Sequence, residues 1–258
     1  MNERLTLDVN GAVGVVTLCA PEAGNAIDQT FCNEFLEATH VLVGDARIRS
    51  VLLRSTGRFF CVGGNVGVFS TASDLGKLTL ELTAPLHMAV ARLIRLSKPI
   101  VTAVNGPAAG AGLGLALLGD VVFAGKAASF TVAYPRIGLS PDAGVSFLLP
   151  RLVGLRRAQE MLFLERSLKG DEAAEWGLIT RCVADDVLAD ETFKIAERLA
   201  AMPTNALGRS KQLLWEAMNR EVEVQLENEA RCVSQCASEP NAREGVAAFL
   251  ERRPAKFS

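Results

Sequence analysis

Between Ile100 and Pro150 the chain gathers residue types that could hold an anion and move a proton. Four glycines, Gly106, Gly110, Gly112 and Gly114, follow a short apolar run, Ile100 to Val104, and an Asn105-Gly106-Pro107 turn. Glycines where a strand gives way to a helix leave backbone N–H groups open to a ligand. A helix N-terminus adds partial positive charge at the same place. The stretch therefore reads as a seat for an anionic group. Gly110-Ala111-Gly112-Leu113-Gly114 is G-x-G-x-G, not the dinucleotide fingerprint, and Phe130 stands where a ribose-binding acid would fall. Gly138-Leu139-Ser140-Pro141-Asp142 matches part of a nucleophile elbow. Its closing glycine is replaced by Asp142, however, and neither histidine, His40 or His87, follows it. Spacing alone gives Asp142 the part of an N-cap or first-turn acid. It gives His87 the part of a packed, hydrogen-bonded histidine on an amphipathic helix.

The elements that must position these groups alternate between strand and helix. Leu5, Leu7 and Val9 alternate with polar residues, Asn10-Gly11 follows, and Val13 to Leu18 resumes, which predicts a hairpin. Pro21 to Asn25 is a loop. Phe31, Cys32, Phe35, Leu36 and Thr39 keep helical spacing behind Asp28, a natural N-cap. Arg49 to Arg54 reads as a buried strand, and a glycine-bearing loop, Gly57 to Asn65, follows it. Val66 to Pro85 has no clean periodicity and is expected to be a mobile flap over a site. Leu86 to Leu96 is an amphipathic helix, and helix resumes after the glycine run from Leu113 to Leu118. Strands are expected at Val121 to Ala124, Ser129 to Ala133 and Ile179 to Val183, and helices at Arg156 to Glu165 and Asp171 to Trp176. After about residue 190 only helices remain: Glu191 to Ala201, Asn205 to Met218, Val222 to Ser238 and Asn241 to Arg252, with a break at Pro203. The reading is an α/β core over residues 1–190 with a helical appendage over 191–258.

Composition narrows the function classes. The 258 residues are 49% hydrophobic with a net charge of −2, so no global charge favours nucleic acid or an anionic membrane. Aromatics at 6% are too sparse for base-stacking platforms. No apolar run approaches the roughly 18 residues of a membrane span, and neither terminus reads as an address, so a cytoplasmic protein is expected. Cys19, Cys32, Cys61, Cys182, Cys232 and Cys236 form no C-x-x-C pair and fit reduced thiols. Cys232 and Cys236 share one helical face without a further Cys or His nearby in sequence, so no metal is expected.

Two glycine loops in order carry a resemblance. Phe60-Cys61-Val62-Gly63-Gly64-Asn65 followed by Ala103 to Gly114 resembles the crotonase superfamily, the enoyl-CoA hydratase/isomerase family. So do Pro150-Arg151-Leu152-Val153-Gly154, Ala173 to Leu178 and Arg243 to Leu250. The resemblance implies a spiral of ββα turns with C-terminal helices that build a homotrimer or a dimer of trimers. It implies an acyl-CoA thioester as substrate, with coenzyme A part of that substrate and no separate cofactor. By motif position the two backbone N–H donors for the thioester oxygen fall on Gly64 and Ala111. The loop with Ala23, Asn25, Ala26 and Ile27 resembles the adenine-binding segment, and Val62, Gly63, Asn65 and Gly110 complete the implied coenzyme A contacts.

Departures from the family pattern bear on the reaction. The two hydratase glutamate positions hold Gly114 and Tyr134, and neither is a carboxylate base. Asp142 stands where some relatives carry their acid. Ile137 to Asp142 resembles the ring-opening and double-bond isomerases of phenylacetate breakdown, and also the nucleophilic Asp of 4-chlorobenzoyl-CoA dehalogenases. The latter carry His at position 87 and Trp at position 134. The leading expectation is an isomerase that shifts a double bond through a thioester enolate, with Asp142 as acid and base. Tyr134 would donate a hydrogen bond or wall the acyl pocket. The alternatives are a hydrolytic dehalogenase, with Asp142 as nucleophile and His87 activating water, and a catalytically silent acyl-CoA-binding subunit.

Overall fold

The computed structural model describes residues 3–258. The hairpin forms as the alternation requires. Strands β1 (Leu5–Asn10) and β2 (Val13–Leu18) pair antiparallel with Asn10 opposite Val13, and Gly11 takes the left-handed conformation that the turn needs. Helix α1 (Gln29–Gly44) starts at Asp28, whose carboxylate accepts from the Phe31 N–H at 2.9 Å. Strand β3 (Ser50–Ser55) returns parallel to β2.

Residues 66–71 and 75–85, for which the sequence offers no clean periodicity, are helical. Helix α2 (Val66–Thr71) is capped by Asn65. Helix α3 (Leu75–Ile94) is capped by Asp74 and runs through Pro85 without ending. Proline inside a helix costs about 3 kcal/mol. Leu82, Leu86, Ala89, Val90 and Leu93 bury one face of α3 along its length. Burying a large apolar side chain returns about 1.5–3 kcal/mol, so the packed face outweighs one missing hydrogen bond.

Strand β4 (Ile100–Val104) is buried at every position and leads to a two-residue strand β5 (Ala108–Ala109) and a short helix α4 (Ala111–Ala116). Then follow β6 (Val121–Gly125), β7 (Ser129–Thr131), α5 (Val145–Val153), α6 (Leu155–Phe163), β8 (Leu168–Lys169), α7 (Gly170–Glu175) and β9 (Arg181–Val183). Helices α8 (Leu188–Ala200), α9 (Thr204–Ala217), α10 (Val222–Ala237) and α11 (Pro240–Leu250) complete the chain. Helix α5 contains Pro150 and was not legible as a helix in the sequence.

The main sheet has the order β1-β2-β3-β4-β6-β9, parallel from β2 onward, and β5, β7 and β8 make a small second sheet. Helices cover both faces of the main sheet, and side chains divide with period 2. Val16, Leu18, Val51, Leu53, Ile100 and Val104 face the core shared with α1 and α3. Val13, Val15, Leu52, Val101, Ala103 and Phe123 face Leu188, Ala196 and Ala200 of α8. The chain is thus α/β with a mixed sheet. Among the described residues no helix is long and apolar enough to cross a membrane.

Candidate active site

Three loops meet at the C-terminal ends of β2, β3 and β4. Residues 61–65 lie between the other two. Cys61 bridges Ala108, with the Ala109 N–H donating to the Cys61 carbonyl at 3.0 Å. On the other side Ile27 bridges Gly64. The Ile27 N–H donates to the Gly63 carbonyl at 2.8 Å, and the Asn65 N–H donates to the Ile27 carbonyl at 2.9 Å. Gly63 makes this possible. Its φ of 91° reverses the alternation of the extended chain, and a Cβ there would lie 2.7 Å from the Ala109 carbonyl oxygen. With the groups of Gly63 and Asn65 turned to Ile27, the N–H of Gly64 is carried to the opposite side. Among the described residues the N–H groups of Gly64 and Ala111 donate to no other group. Ala111 opens α4, where the first N–H groups have no partner within the helix.

The remaining residues of the implied coenzyme A set come together on the same loops, but not all of them are open. Ala26 and Ile27 are buried, Ala23 is half-buried and Val62 is exposed. Asn25 is buried, and its amide is fully engaged inside the protein. It accepts from the Ala20 N–H at 2.9 Å and donates to the carbonyls of Thr56 and Phe59 at 3.1 and 2.9 Å. Its side chain therefore ties two loops together, and any contact with a ligand falls to its backbone. Asn65 caps α2 by accepting from the Val68 N–H at 3.3 Å.

Tyr134 and Asp142 form one unit. The Tyr134 hydroxyl donates to Asp142 Oδ1 at 2.5 Å and lies 3.3 Å from the Asp142 carbonyl. Burial, reinforced by the Asp142 charge, pushes the phenol far above its usual range, so it stays protonated and remains a donor. A Cβ on Gly110 would lie 3.9 Å from Tyr134 Cζ and 3.9 Å from Gly63 Cα, which places the pair beside the glycine corner. Asp142 is half-buried and does not cap α5. The cap position is Gly144, and the Asp142 backbone carbonyl accepts from the Val145 N–H at 2.9 Å. The N-cap reading from spacing alone is thus replaced by a side chain held by a phenol.

His87 sits on α3 across from this loop. It is exposed, and its Nε2 accepts from the Ala143 N–H at 3.1 Å. That bond requires Nε2 to be unprotonated and places its lone pair on the backbone rather than on solvent. Cys32 and Cys61 are buried near the site, and burial pushes both thiols up to about 12, with the Asp28 and Asp142 charges adding at Cys32. Neither is a nucleophile at neutral pH.

Two residues near the corner escaped the sequence reading. Phe69 of α2 lays its ring against Gly64: a Cβ there would lie 2.6 Å from Phe69 Cζ. Ala143 holds a φ of 48°, rare for a residue with a side chain. Only the lack of periodicity ahead of α3 hid Phe69; nothing in the sequence marks Ala143.

The whole chain has counterparts. It is similar to the 1,2-epoxyphenylacetyl-CoA isomerase of Escherichia coli strain K12, 38% identical, with 100% of this chain and 99% of the relative covered. It is similar to 4-chlorobenzoyl coenzyme A dehalogenase-2 of an Arthrobacter species, 31% identical over 97% of this chain and 92% of the relative. In three dimensions it superposes on an enoyl-CoA hydratase from Polaromonas sp. JS666 with a TM-score of 0.93 at 30% identity, covering 98% of this chain and 99% of that one. The α/β fold that the resemblance implies is therefore the one found. Residues 8–258 match the family described as enoyl-CoA hydratase/isomerase, whose members act on acyl-CoA thioesters, and the chain belongs to that family.

Proposed function

We propose that this chain is an acyl-CoA isomerase that moves a double bond through a thioester enolate, with Asp142 as the acid and base. The observation that carries this reading is the Tyr134–Asp142 bond beside the glycine corner: one carboxylate, held by a protonated phenol, next to two free backbone donors. In this reading the thioester oxygen of a 3-enoyl-CoA lies against the N–H groups of Gly64 and Ala111. Asp142 removes a proton from C2 and the electron pair passes to the oxygen as an enolate. The enolate collapses to form the C2–C3 double bond, the C3–C4 π pair takes the proton back from Asp142 at C4, and the carboxylate is regenerated. One preorganised N–H donor is worth about 10²–10³ in rate. Positioned acid–base catalysis adds about 10²–10⁴. The chemistry calls on no metal or separate cofactor.

The similarity to an isomerase of a CoA thioester supports this reading, and the glutamate positions of a hydratase support it further. One holds Gly114, where a Cβ would overlap the Ala143 carbonyl oxygen. The other holds Tyr134. The similarity to the Arthrobacter dehalogenases favours a second reading, with Asp142 attacking a ring carbon. The His87 geometry speaks against it, because Nε2 would have to release the Ala143 N–H before it could activate water.

We also propose that the protein self-associates through its C-terminal helices. Leu214, Val222, Leu226, Phe249 and Leu250 are all exposed on α9, α10 and α11, with Phe249 82% exposed. A panel of 3-enoyl-CoA thioesters, with products read by mass spectrometry, tests the reaction. Conjugated 2-enoyl products are expected. Chloride release from 4-chlorobenzoyl-CoA would favour the dehalogenase. Thermal stabilisation by CoA esters without turnover of any would favour the silent subunit.

A further inference from the structure

Helix α4 meets two loops of the site through small residues. Ala111 presents its free N–H at the corner. A Cβ on Gly112 would overlap the Cys61 carbonyl oxygen. A Cβ on Gly114 would overlap the Ala143 carbonyl oxygen and lie 3.0 Å from Ala143 Cβ. Ala143 is fully buried, left-handed at φ 48°, and followed by Gly144 at φ 81°. It is held from the other side by His87 of α3, which accepts its N–H at 3.1 Å. Asp142 is the next residue back, with its carbonyl fixed by the Val145 N–H and its carboxylate by Tyr134. The loop that carries the carboxylate is thus clamped between α3 and α4, and the α4 side of the clamp closes only over a residue without a side chain.

We infer that Gly114 is a positioning residue for Asp142: by letting the Ala143 backbone rest on α4, it sets the distance between the carboxylate and the Ala111 N–H, which belongs to the same helix. The two halves of the site then share a single rigid gauge. A helix rises about 1.5 Å per residue, so Ala111 and Gly114 are about 4.5 Å apart along its axis. A Cβ at 114 pushes the Ala143 backbone outward and moves Asp142 with it, while Gly63, Gly64 and the loops around coenzyme A stay in place. A misplacement of about 1 Å at a reacting group costs on the order of 100-fold in rate. The inference rests on the isomerase reading above, because it assigns its effect to Asp142.

The test compares wild type, Gly114→Ala, Ala143→Gly, the double variant G114A/A143G and Asp142→Asn in isomerisation of a 3-enoyl-CoA, together with thermal midpoints. Gly114→Ala is expected to lose about tenfold or more in kcat with KM within about twofold. The double variant should regain part of that loss, because glycine at 143 can adopt a wider range of left-handed backbone and draw its carbonyl aside. If Gly114→Ala does not fold, Ala143→Gly and the double variant carry the same comparison. The double should then have the lower kcat at equal KM. A wild-type kcat in Gly114→Ala overturns the inference. So does a loss that appears in KM, or a folded double variant with no regain over Gly114→Ala. If Asp142→Asn itself keeps the wild-type rate, the isomerase reading falls and this inference falls with it. If Asp142→Asn is slow while Gly114→Ala is not, only this inference falls.

Discussion

Tyr134→Phe isolates a single interaction at the candidate site. The substitution removes one oxygen and leaves the ring that packs beside Gly110, so a purely spatial role for Tyr134 would survive it. What is lost is the donor that reaches Asp142 Oδ1 at 2.5 Å. A hydrogen bond to a charged group contributes about 1.5–3 kcal/mol, and about 1.4 kcal/mol is a factor of ten. If the bond holds the carboxylate in its reacting orientation, kcat should fall about 10- to 100-fold, because the orientation matters at the transition state. KM should change little, because the thioester oxygen and the coenzyme A loops are untouched. The assay follows the conjugated 2-enoyl thioester by its absorbance, with kcat and KM measured separately for the wild type and the variant. A double-mutant cycle with Asp142→Asn should show the two losses to be non-additive, since one residue acts through the other. An unchanged kcat, or a loss confined to KM, would refute the positioning role and leave Tyr134 as a wall.

Other consequences follow from the same geometry. Phe69→Ala should raise kcat/KM for bulky acyl thioesters relative to short ones, because the ring resting on Gly64 is removed; a substrate panel reads the ratio. Being partly buried, Phe69 should cost less than the about 3–5 kcal/mol of a fully buried Phe→Ala change, as measured by denaturant unfolding. Cys32 and Cys61 should resist iodoacetamide in the native protein at pH 8, since burial pushes both thiols up to about 12. Peptide mapping after labelling checks this, and modification of either without unfolding would contradict it. At the C-terminus, Glu244 is paired with Arg253 and accepts from the Lys256 N–H at 2.8 Å; Arg253, with that N–H, draws its carboxyl down from 4.5 to about 2. A lowered value means that the clasp is fully present above pH 4.5 and is lost as the pH falls toward 2. The protection of the Lys256 amide, the exchange rate of an unstructured amide at the same pH divided by its own, should fall over that range, and Glu244→Gln should show the lower protection already at pH 7.

Local chemistry made much of the fold legible. Asn10-Gly11 between alternating runs gave the hairpin, Asp28 gave the start of α1, and apolar runs such as Ile100 to Val104 gave the buried strands. Where proline intervened, local signals misled. Pro85 hid the first half of α3 and Pro150 hid α5, because proline marks a probable helix end and only tertiary burial reverses that. The two-residue strands β5 and β8 carry no pattern at all. The candidate site was legible as a set of residue types but not as an arrangement. Nothing in the spacing of Tyr134 and Asp142 states that the phenol reaches the carboxylate. Likewise, nothing in the sequence states that the Asn25 side chain makes three hydrogen bonds inside the protein and leaves any ligand contact to the backbone. Gly114 is legible by resemblance as a missing hydratase glutamate, but not as the surface on which the Ala143 backbone rests.

The most direct measurement is the initial rate of 2-enoyl-CoA formation from a 3-enoyl-CoA by wild type and Asp142→Asn side by side, with binding of the thioester measured for both. An amide keeps the shape of the side chain and its contact with Tyr134 but cannot take the proton. The rate should fall by about 10²–10⁴, while the dissociation constant stays within a few-fold. A variant that turns over as fast as the wild type would show that Asp142 does not move the proton.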